Sequence, residues 1–445
     1  MFRLLFDRQF GNLTIAQFFA AFNDNALKQI FLLLTVQTAM QSGSGGFELQ
    51  AASMAVFALP FLLFSTFAGR VTDRVSKTTV IRLAKFIEII VVLIAGWGIY
   101  AGNLYVLLVG LFLLSTQSCF FSPAKYGILP EIFGTENLSA GNGILQASTY
   151  AAIILGTAMA GVLLEAFHNQ RWIISVVLIA TALAGWIAAM LMEKTPPADP
   201  DQDLITTPLK RFAESLAIVR EDRQLFYSMF AFAYFWFAGS VIMLNLNVYG
   251  MSEMGLSYLK TSFMLGALGV GVGAGCLLAG RLSGERIEPG LIPFGALGMG
   301  ITLLVLVNVP SYYVLLLFWL FVAGVFSGLF LIPLQAILQE RPAPEKKGEV
   351  LGAANLFTFT GVLISAAVYT MLVGWAGVSA STMMGLLGIM TLVAGTMIVT
   401  VVPRFFVRFV LWLLVHSIYR IDVHGRENIP DEGPALLVAN HVSYI

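Results

Sequence analysis

Apolar residues along this 445-residue chain fall into twelve runs, most of them close to the roughly 20 residues that cross a bilayer as an α-helix. Short polar connections separate the runs, and no run alternates apolar and polar residues with period two, which argues against a transmembrane barrel. The pattern therefore predicts an all-α polytopic membrane protein. The predicted spans are residues 13–40, 49–69, 79–101, 104–124, 138–167, 171–192, 225–249, 256–281, 289–308, 311–336, 348–374 and 378–402.

Composition agrees with that prediction. Hydrophobic residues make up 58% of the chain and charged residues 11%, whereas soluble domains carry about 25% charged residues. Cys119 and Cys276 both lie inside predicted spans, so a disulfide framework is excluded and a thiolate metal site is not expected. Neither a cofactor, a metal nor a nucleic-acid partner is predicted.

Basic residues are concentrated on alternate connections between the predicted spans. With the N-terminus inside, the cytoplasmic connections contain most of the Lys and Arg, whereas the opposite side carries only Arg171 and Lys260. Because basic residues near span ends favour the cytoplasmic side, both termini are predicted to be cytoplasmic. No small-residue cleavage site precedes the first span, so we expect that span to remain as a helix.

An internal repeat divides the spans into two sets of six. The segment Ala68–Arg74 (AGRVTDR) recurs as Ala279–Arg286 (AGRLSGER), and Phe120–Lys125 (FFSPAK) recurs as Phe330–Gln335 (FLIPLQ). Both pairs lie about 210 residues apart and occur in the same order in each half. Parallel repeats with a site between them are a known layout of membrane transport proteins. The repeat therefore predicts two six-helix bundles.

Changes in composition suggest five segments along the chain. A polar break between the bundles contains Leu209, Phe212 and Leu216, whose spacing predicts an amphipathic helix on the membrane surface. A plain solvated linker helix is the alternative. The predicted segments are an N-terminal bundle at 1–192, a cytoplasmic linker at 193–223, a C-terminal bundle at 224–402, an interfacial segment at 403–420 and a soluble-type segment at 421–445.

The first span carries charges within its apolar length. Gln17, Ala21, Asp24 and Lys28 recur at the spacing of one helix face. Ionisable groups within hydrocarbon are costly, so they usually face a protein interior or a wet cavity and mark a substrate or ion path. We therefore predict that this face lines a transport cavity. The alternative is an inert pair that satisfies itself or supports a neighbouring helix.

Glu88 in the third span is a second acid within the apolar length. It is either a coupling acid for transport or an acid that Lys85 or Arg82, on the preceding turns, satisfies. The sequence slightly favours the second interpretation, because both basic residues lie within reach on the same helix.

The connection after the second span carries an ordered set of small and charged residues. Gly69, Arg70, Asp73, Arg74 and Lys77 resemble the cytoplasmic signature of the major facilitator superfamily. The resemblance implies a twelve-span fold that works by alternating access between two bundles. These residues would then gate it, because charge-assisted bonds to the other half would hold one conformation and break in another. A basic loop that only sets topology is the alternative.

Three segments are similar to bacterial lysophospholipid transporters of that superfamily, namely residues 16–27, 122–129 and 142–149. The resemblance implies substrate contacts at Asp24 and Lys125. It also implies an arginine in the seventh span, where residues 236–243 carry no basic side chain. Lys28 is an extra basic group in the first span and is a candidate to take over part of that role.

The substrate that this resemblance implies has a phosphate, a polar headgroup that is often an amine, and one acyl chain. Lys28 or Lys125 would meet the phosphate and Asp24 the amine. For Lys125, a lysine that only extends to the membrane surface is the alternative. The candidate substrate-binding residues are Asp24, Asn25, Lys28, Lys125, Tyr126 and Gln146.

The last 25 residues differ in composition from the spans. Gly425–Pro430 (GRENIP) and Leu436–His441 (LLVANH) closely resemble the start of glycerolipid acyltransferases of the 1-acylglycerol-phosphate type. The resemblance implies that His441 is the general base, oriented by an acid that would follow Ile445. We therefore expect the chain to be the transporter part of a longer polypeptide, without a complete catalytic site and not itself an enzyme.

Together these features predict a lysophospholipid transporter of the bacterial inner membrane. It would move lysophospholipid, such as lysophosphatidylethanolamine, from the outer to the inner leaflet for reacylation, by alternating access. The expected partners are the lysophospholipid, membrane lipid and a fused or associated acyltransferase. Two alternatives remain: a major facilitator exporter of drugs or metabolites, and a membrane anchor for a lysophospholipid acyltransferase. Ion-coupled and downhill transport both remain open.

Overall fold

The computed structural model describes residues 6–42, 46–133, 138–200, 219–220, 222–283, 287–308, 312–342 and 347–419. These residues are almost entirely helical, and no strand occurs among them. The helices are α1 (Arg8–Ser42), α2 (Gly46–Arg74), α3 (Lys77–Ala101), α4 (Leu104–Gly127), α5 (Leu129–Phe133), α6 (Leu138–Ala166), α7 (Arg171–Met190), α8 (Arg223–Val248, continued by a π-helical turn, Tyr249–Glu253), α9 (Tyr258–Ser283), α10 (Leu291–Asn308), α11 (Tyr313–Glu340), α12 (Lys347–Tyr369, continued by a π-helical turn, Thr370–Trp375), α13 (Ala380–Val401) and α14 (Pro403–Ile418).

Twelve of these helices correspond to the predicted spans: α1 to α4, α6 and α7, and α8 to α13. Within the described ranges, nine helices are long and apolar enough to cross a membrane, and α2, bent by 52°, gives a tenth. The other two are α1 and α3, which contain 35 and 25 residues and carry charges within their length. The chain is a multi-pass membrane protein, and the prediction of an all-α fold is confirmed.

Helix packing follows the same scheme in the N-terminal half (α1–α7) and the C-terminal half (α8–α13). In the first half α3 packs against α4 and α7, and α2 packs against α4. In the second half α10 packs against α11 and α13, and α9 packs against α11. The pairs α1 with α6 and α8 with α12 complete the correspondence. The two six-helix bundles are therefore parallel repeats, as the sequence repeat predicted.

Helices α9 and α11 cross through four glycines. A Cβ atom at Gly271 or Gly275 would lie 2.1 Å from a carbonyl oxygen of α11. At Gly324 and Gly328 it would lie 2.2 and 2.4 Å from a carbonyl oxygen of α9. Small residues let two helix backbones approach closely, so the crossing has no room for a side chain on either helix.

We expect Gly328→Ala and Gly273→Ala to change stability in opposite directions. At Gly328 the added methyl meets facing backbone, and overpacking of this kind costs about 1–3 kcal/mol or more. At Gly273 nothing lies within 4 Å of the added atom, and Ala favours a helix over Gly by about 1 kcal/mol. Thermal unfolding of both purified variants in detergent measures the effect. Destabilisation of the same size in both would contradict the crossing.

The two halves share one apolar core at one end of the molecule only. The end where α1 begins at Arg8 and α2 ends at Arg74 is called the basic end, and the opposite end the far end. At the far end, Phe31 of α1 and Leu246 of α8 belong to the same core. At the basic end the N-terminal half has a core around Phe121, separate from the cores of the C-terminal half.

Polar contacts also join the halves towards the far end. Gln29 donates to the side-chain oxygen of Asn247 at 2.7 Å, and lies 3.4 Å from the hydroxyl of Ser262. Gln50 donates to the carbonyl oxygen of Leu244 at 2.9 Å. Gln29, Gln50 and Asn247 are buried. Together with the shared core, these contacts seal the far end.

Ion pairs at the basic end join elements of a single half, as far as the described residues show. These pairs are Lys77 with Glu131, Arg341 with Asp222, and Arg408 with Glu288. Partial burial opposes ionisation of Asp222, but hydrogen bonds from Arg341 and from two backbone amides lower its pKa below the ordinary 3.8. This pair therefore holds α8 to α11 at neutral pH and weakens only as the pH falls below that value.

The segment predicted to be interfacial forms α14, which begins at Pro403. Phe409 is buried against residues of α9, α10 and α11 that include Leu291. Leu411, Leu414 and Ile418 remain exposed. This arrangement is compatible with an interfacial helix, which stays a prediction. The linker residues 209–216 and the C-terminal residues 421–445, which include His441, lie outside the described residues.

Candidate functional site

Asp24 lies in the middle of α1, and only one of its two carboxylate oxygens has a hydrogen-bond partner among the described residues. One carboxylate oxygen accepts a hydrogen bond from Ser118 of α4 at 2.8 Å. The other oxygen is buried and has no hydrogen-bond partner among the described residues. Nearby on α4, the side-chain nitrogen of Gln117 is likewise buried and without a partner in the described part of the chain. Buried polar atoms without partners are costly and call for an explanation, and one explanation is a ligand.

Lys28 lies one turn further along α1 and does not neutralise Asp24. Both residues are described, and no ion pair forms between them within 4.0 Å. The Lys28 ammonium instead lies 4.8 Å from the centre of the Phe57 ring of α2. A cation above an aromatic face is stabilised without losing its charge to an acid. The pair is therefore not the self-satisfied one that the sequence left open.

Lys125 of α4 turns back towards α1. Its ammonium donates to the side-chain oxygen of Gln17 at 3.0 Å, and Gln17 donates to Thr149 of α6 at 2.7 Å. The same ammonium lies 4.9 Å from the centre of the Tyr126 ring. Lys125 therefore takes part in a polar network that links three helices, rather than extending to the membrane surface.

Three of the other predicted residues, Tyr126, Gln146 and Asn25, join this network weakly or not at all. The Tyr126 hydroxyl lies 3.5 Å from the side-chain oxygen of Gln146 on α6, at the limit of a hydrogen bond. Asn25 uses its amide on its own helix, where it donates to the carbonyl oxygen of Ala21 at 2.8 Å. All six predicted residues therefore lie on the neighbouring helices α1, α4 and α6, and the hydrogen bond described for Asn25 stays within its own helix.

Ser118, Gln117 and Phe57 were not among the site residues predicted from the sequence. A signal for the first two was present, because residues 115–118 form a run of four polar residues within an apolar span. Phe57 carried no such signal, since it is one of 35 phenylalanines. Only the contact of its ring with the Lys28 ammonium distinguishes Phe57 from a ring that faces lipid.

The predicted gating residues lie at the basic end, where Lys77 contacts the N-terminal half and Asp73 contacts the linker. Lys77 forms an ion pair with Glu131 of α5. The carbonyl oxygen of Asp73 accepts bonds from the backbone amides of Ala198 and Asp199, at 3.1 and 2.9 Å. Gly69, Arg70 and Arg74 lie on the last turns of α2. Their role in gating stays a prediction.

A buried ion pair on α3 contacts Asn23 of α1, the residue before Asp24. Lys85 and Glu88 are both 0% exposed and lie 2.5 Å apart. Asn23 of α1 donates to Glu88 at 3.0 Å and accepts from Thr181 of α7 at 2.6 Å. A Cβ at Gly185 would lie 2.7 Å from the Lys85 ammonium, so this glycine makes room for the lysine. Glu88 is satisfied by Lys85, as the sequence favoured.

Among the described residues, the site therefore combines one carboxylate oxygen that is free to accept with two ammonium groups that are not bound to acids. Such a set complements a ligand that carries an amine and an anionic group, since charge-assisted hydrogen bonds are the strong ones. Among the described residues, no group of three His, Cys, Asp or Glu is placed to hold a metal ion.

Comparison with known proteins agrees with the architecture. The family model described as "Major Facilitator Superfamily" matches residues 13–366. A crystallised POT family transporter superimposes with a TM-score of 0.68 at 13% identity, covering 89% of this chain and 96% of its own, which shows a common fold.

Curated relatives are similar over most of the chain. The lysophospholipid transporter LplT of Cronobacter sakazakii is 31% identical over 377 residues, which are 83% of this chain and 90% of the relative. The LplT protein of an Enterobacter species is 30% identical over 369 residues, 81% and 87% of the two chains. These similarities are to transport proteins and not to enzymes. Because the family model spans most of the sequence and the fold agrees, this chain belongs to the Major Facilitator Superfamily.

Proposed function

We propose that this protein transports lysophospholipids across the membrane in which it lies. The observation that carries the proposal is the unpartnered carboxylate oxygen of Asp24, on the same cluster of helices as the ammonium groups of Lys28 and Lys125. The names of the curated relatives support the same substrate class.

The headgroup of a lysophospholipid matches these three side chains. Its amine would bind the free oxygen of Asp24, and its phosphate would accept hydrogen bonds from Lys28 or Lys125. Lys28 lies over a ring and not beside an acid, so it would retain its donors for the phosphate. This assignment also supplies the basic group that the seventh span lacks.

The acyl chain requires apolar surroundings beside the headgroup site. Phe57 and Phe61 of α2 are neighbours, and Phe61 stacks on Phe359 of α12 with ring centres 4.3 Å apart. These rings lie where the two halves meet, and they would contact a chain that extends from the polar site.

Transport would proceed by alternating access of the two halves. In the present state the halves share a core and polar contacts at the far end, while the basic end has separate cores. The opposite state would close the basic end, where Gly69, Arg70, Asp73, Arg74 and Lys77 would form new contacts with the other half.

Orientation and direction form a further part of the proposal. The basic end would face the cytoplasm of a bacterial inner membrane, because it carries most of the basic connections. Lysophospholipid would then move from the outer to the inner leaflet, as in a flippase. The resemblance of residues 425–441 to acyltransferases suggests a fused or associated acyltransferase that consumes the delivered lipid.

Uptake of labelled lysophosphatidylethanolamine by spheroplasts that express this chain tests the proposal. We expect uptake well above the level in spheroplasts with an empty vector, and no uptake of glycerophosphoethanolamine, which has the same headgroup but no acyl chain. Drug resistance measured in the same strain serves as the comparison with an exporter. Resistance without lysophospholipid uptake would contradict the proposal.

A further inference from the structure

An apolar cavity of about 400 Å³ lies inside the C-terminal half, outside the site described above. It is enclosed by α8, α10, α11 and α13 towards the basic end. A cavity of this size falls within the range of ligand pockets, which is about 300–1,000 Å³. Its lining includes Tyr227, Ala231, Tyr234, Leu334, Ala394 and Ile398.

The cavity is elongated along α8. Its lining residues on that helix run from Gln224 to Tyr234, which corresponds to about 15 Å at 1.5 Å per residue. Towards the middle of the bundle, the Tyr234 hydroxyl lies 2.6 Å from the Thr391 hydroxyl. On the outer side Met397 is 64% exposed. The cavity is therefore a slot with an outer opening on the membrane-facing surface.

The corresponding place in the N-terminal half holds a buried apolar core. There the repeat-related helices α1, α3, α4 and α7 enclose a compact core that includes Phe10, Leu13 and Phe121, each at most 2% exposed. Protein interiors are normally packed as densely as organic crystals. The C-terminal half also has a buried core among these helices, around Phe330 and Leu334, and the cavity lies beside it. A resident ligand would explain the cavity.

The chemistry of the lining limits what that ligand is. Among the described residues, no charged side chain lines the slot, and the polar side chains there are Gln224 and Ser228 with two tyrosines. A phosphate or an amine would lose its hydration there without gaining a partner. A hydrocarbon chain has no hydration to lose there, and the membrane-facing opening gives a lipid chain access to the slot.

We propose that this slot binds the single acyl chain of a lysophospholipid that resides in the leaflet at the basic end. The inference rests on the proposed function and adds a second, apolar site to it. A lysophospholipid held there would have its headgroup at the membrane surface of the basic end, the side to which the proposed transport delivers it. The slot would then retain the product before it leaves the transporter.

Photolabelling of the whole chain in lipid nanodiscs tests this proposal. The probe is lysophosphatidylethanolamine with a diazirine at the end of its acyl chain, and labelled peptides are identified by mass spectrometry. We expect adducts within residues 224–234 and 394–402. Because the lining of the slot extends about 15 Å along α8, the labelling should also depend on the length of the acyl chain.

A pair of neighbouring substitutions on α13 provides the control. Ala394→Phe places a ring in the slot, and Val393→Phe places the same ring on the surface, where Val393 is 50% exposed. The first should reduce labelling of the slot to near the background level, because the ring occupies the space of the chain, and the second should leave it close to that of the wild type. If Ala394→Phe does not fold, Ala231→Phe, which fills the slot from α8, replaces it as the test variant.

The outcomes separate this proposal from the proposed function. Adducts elsewhere, equal labelling of both α13 variants, or equal competition by diacyl phosphatidylethanolamine would overturn the slot as a lysophospholipid site. If the wild-type chain takes up lysophospholipid in the spheroplast assay while the slot stays unlabelled, only the slot proposal fails. Labelling of the slot that unlabelled lysophospholipid displaces, and diacyl lipid at equal mole fraction does not, would support it.

Discussion

Asp24→Asn is expected to remove most lysophosphatidylethanolamine uptake while the protein stays folded. The asparagine has the same shape and can still accept the hydrogen bond from Ser118. It lacks the negative charge, and a hydrogen bond to a charged group contributes about 1.5–3 kcal/mol. The apparent affinity should therefore fall about 10- to 100-fold. Initial uptake rates over a range of substrate concentrations, normalised to the amount of protein in the membrane, measure the change.

Headgroup preference distinguishes the proposed roles of the polar residues. Asp24→Asn should reduce uptake of lysophosphatidylethanolamine more than uptake of lysophosphatidylglycerol, which has no amine. Lys28→Met should impair both, because both substrates carry the phosphate. Glu340→Gln is the matched control, since Glu340 is an exposed acid at the end of α11. Wild-type uptake by Asp24→Asn at a normal membrane level would refute the assigned site.

Lys85→Met is expected to destabilise the protein strongly, and adding Glu88→Leu to restore most of the loss. Removing one partner of a buried ion pair leaves an uncompensated charge and costs about 3–5 kcal/mol. Replacing both partners with apolar residues of similar size is often neutral or stabilising. Thermal unfolding in detergent of the two single variants and the double variant gives the coupling between them.

Uptake by the double variant decides what the ion pair does. Glu88 is fully buried and bonded to Lys85 and Asn23, so we expect a purely structural role and uptake close to that of the wild type. A double variant that is stable but inactive would show instead that Glu88 acts in transport. A double variant no more stable than Lys85→Met would contradict the structural role.

The candidate site was only partly predictable from the sequence. Asp24 and Lys28 stood out because charges are rare in apolar spans, and that rarity is a local property of the sequence. Their partners were not predictable, because Ser118 lies 94 residues from Asp24 and Phe57 lies on another helix. Two side chains one turn apart can pair or diverge. Here the Lys28 ammonium lies over the Phe57 ring of α2, and the Asp24 carboxylate accepts a hydrogen bond from α4, so the two side chains do not pair.

The crossing of α9 and α11 was likewise only partly predictable from the sequence. A glycine-rich stretch in the eighth span was visible in the sequence, but which of its glycines face a backbone was not. Gly271 and Gly275 meet α11, whereas Gly273 faces open space. The partners Gly324 and Gly328 have the GxxxG spacing of close-packed helices, but the sequence did not show which helix they meet. Contact depends on the rotation of both helices, and that rotation is set by all of their neighbours.

By itself, the sequence determined the class of this protein, its spans, its repeat and the charges that lie within hydrocarbon. These features are local, because span length, basic connections and the cost of a buried charge each depend on a short stretch of chain. Tertiary structure decided the rest: that Lys85 satisfies Glu88, that Asp24 keeps one oxygen free, and that the halves close at the far end. Those outcomes depend on which residues from distant parts of the chain meet, and only the packing of the helices determines that.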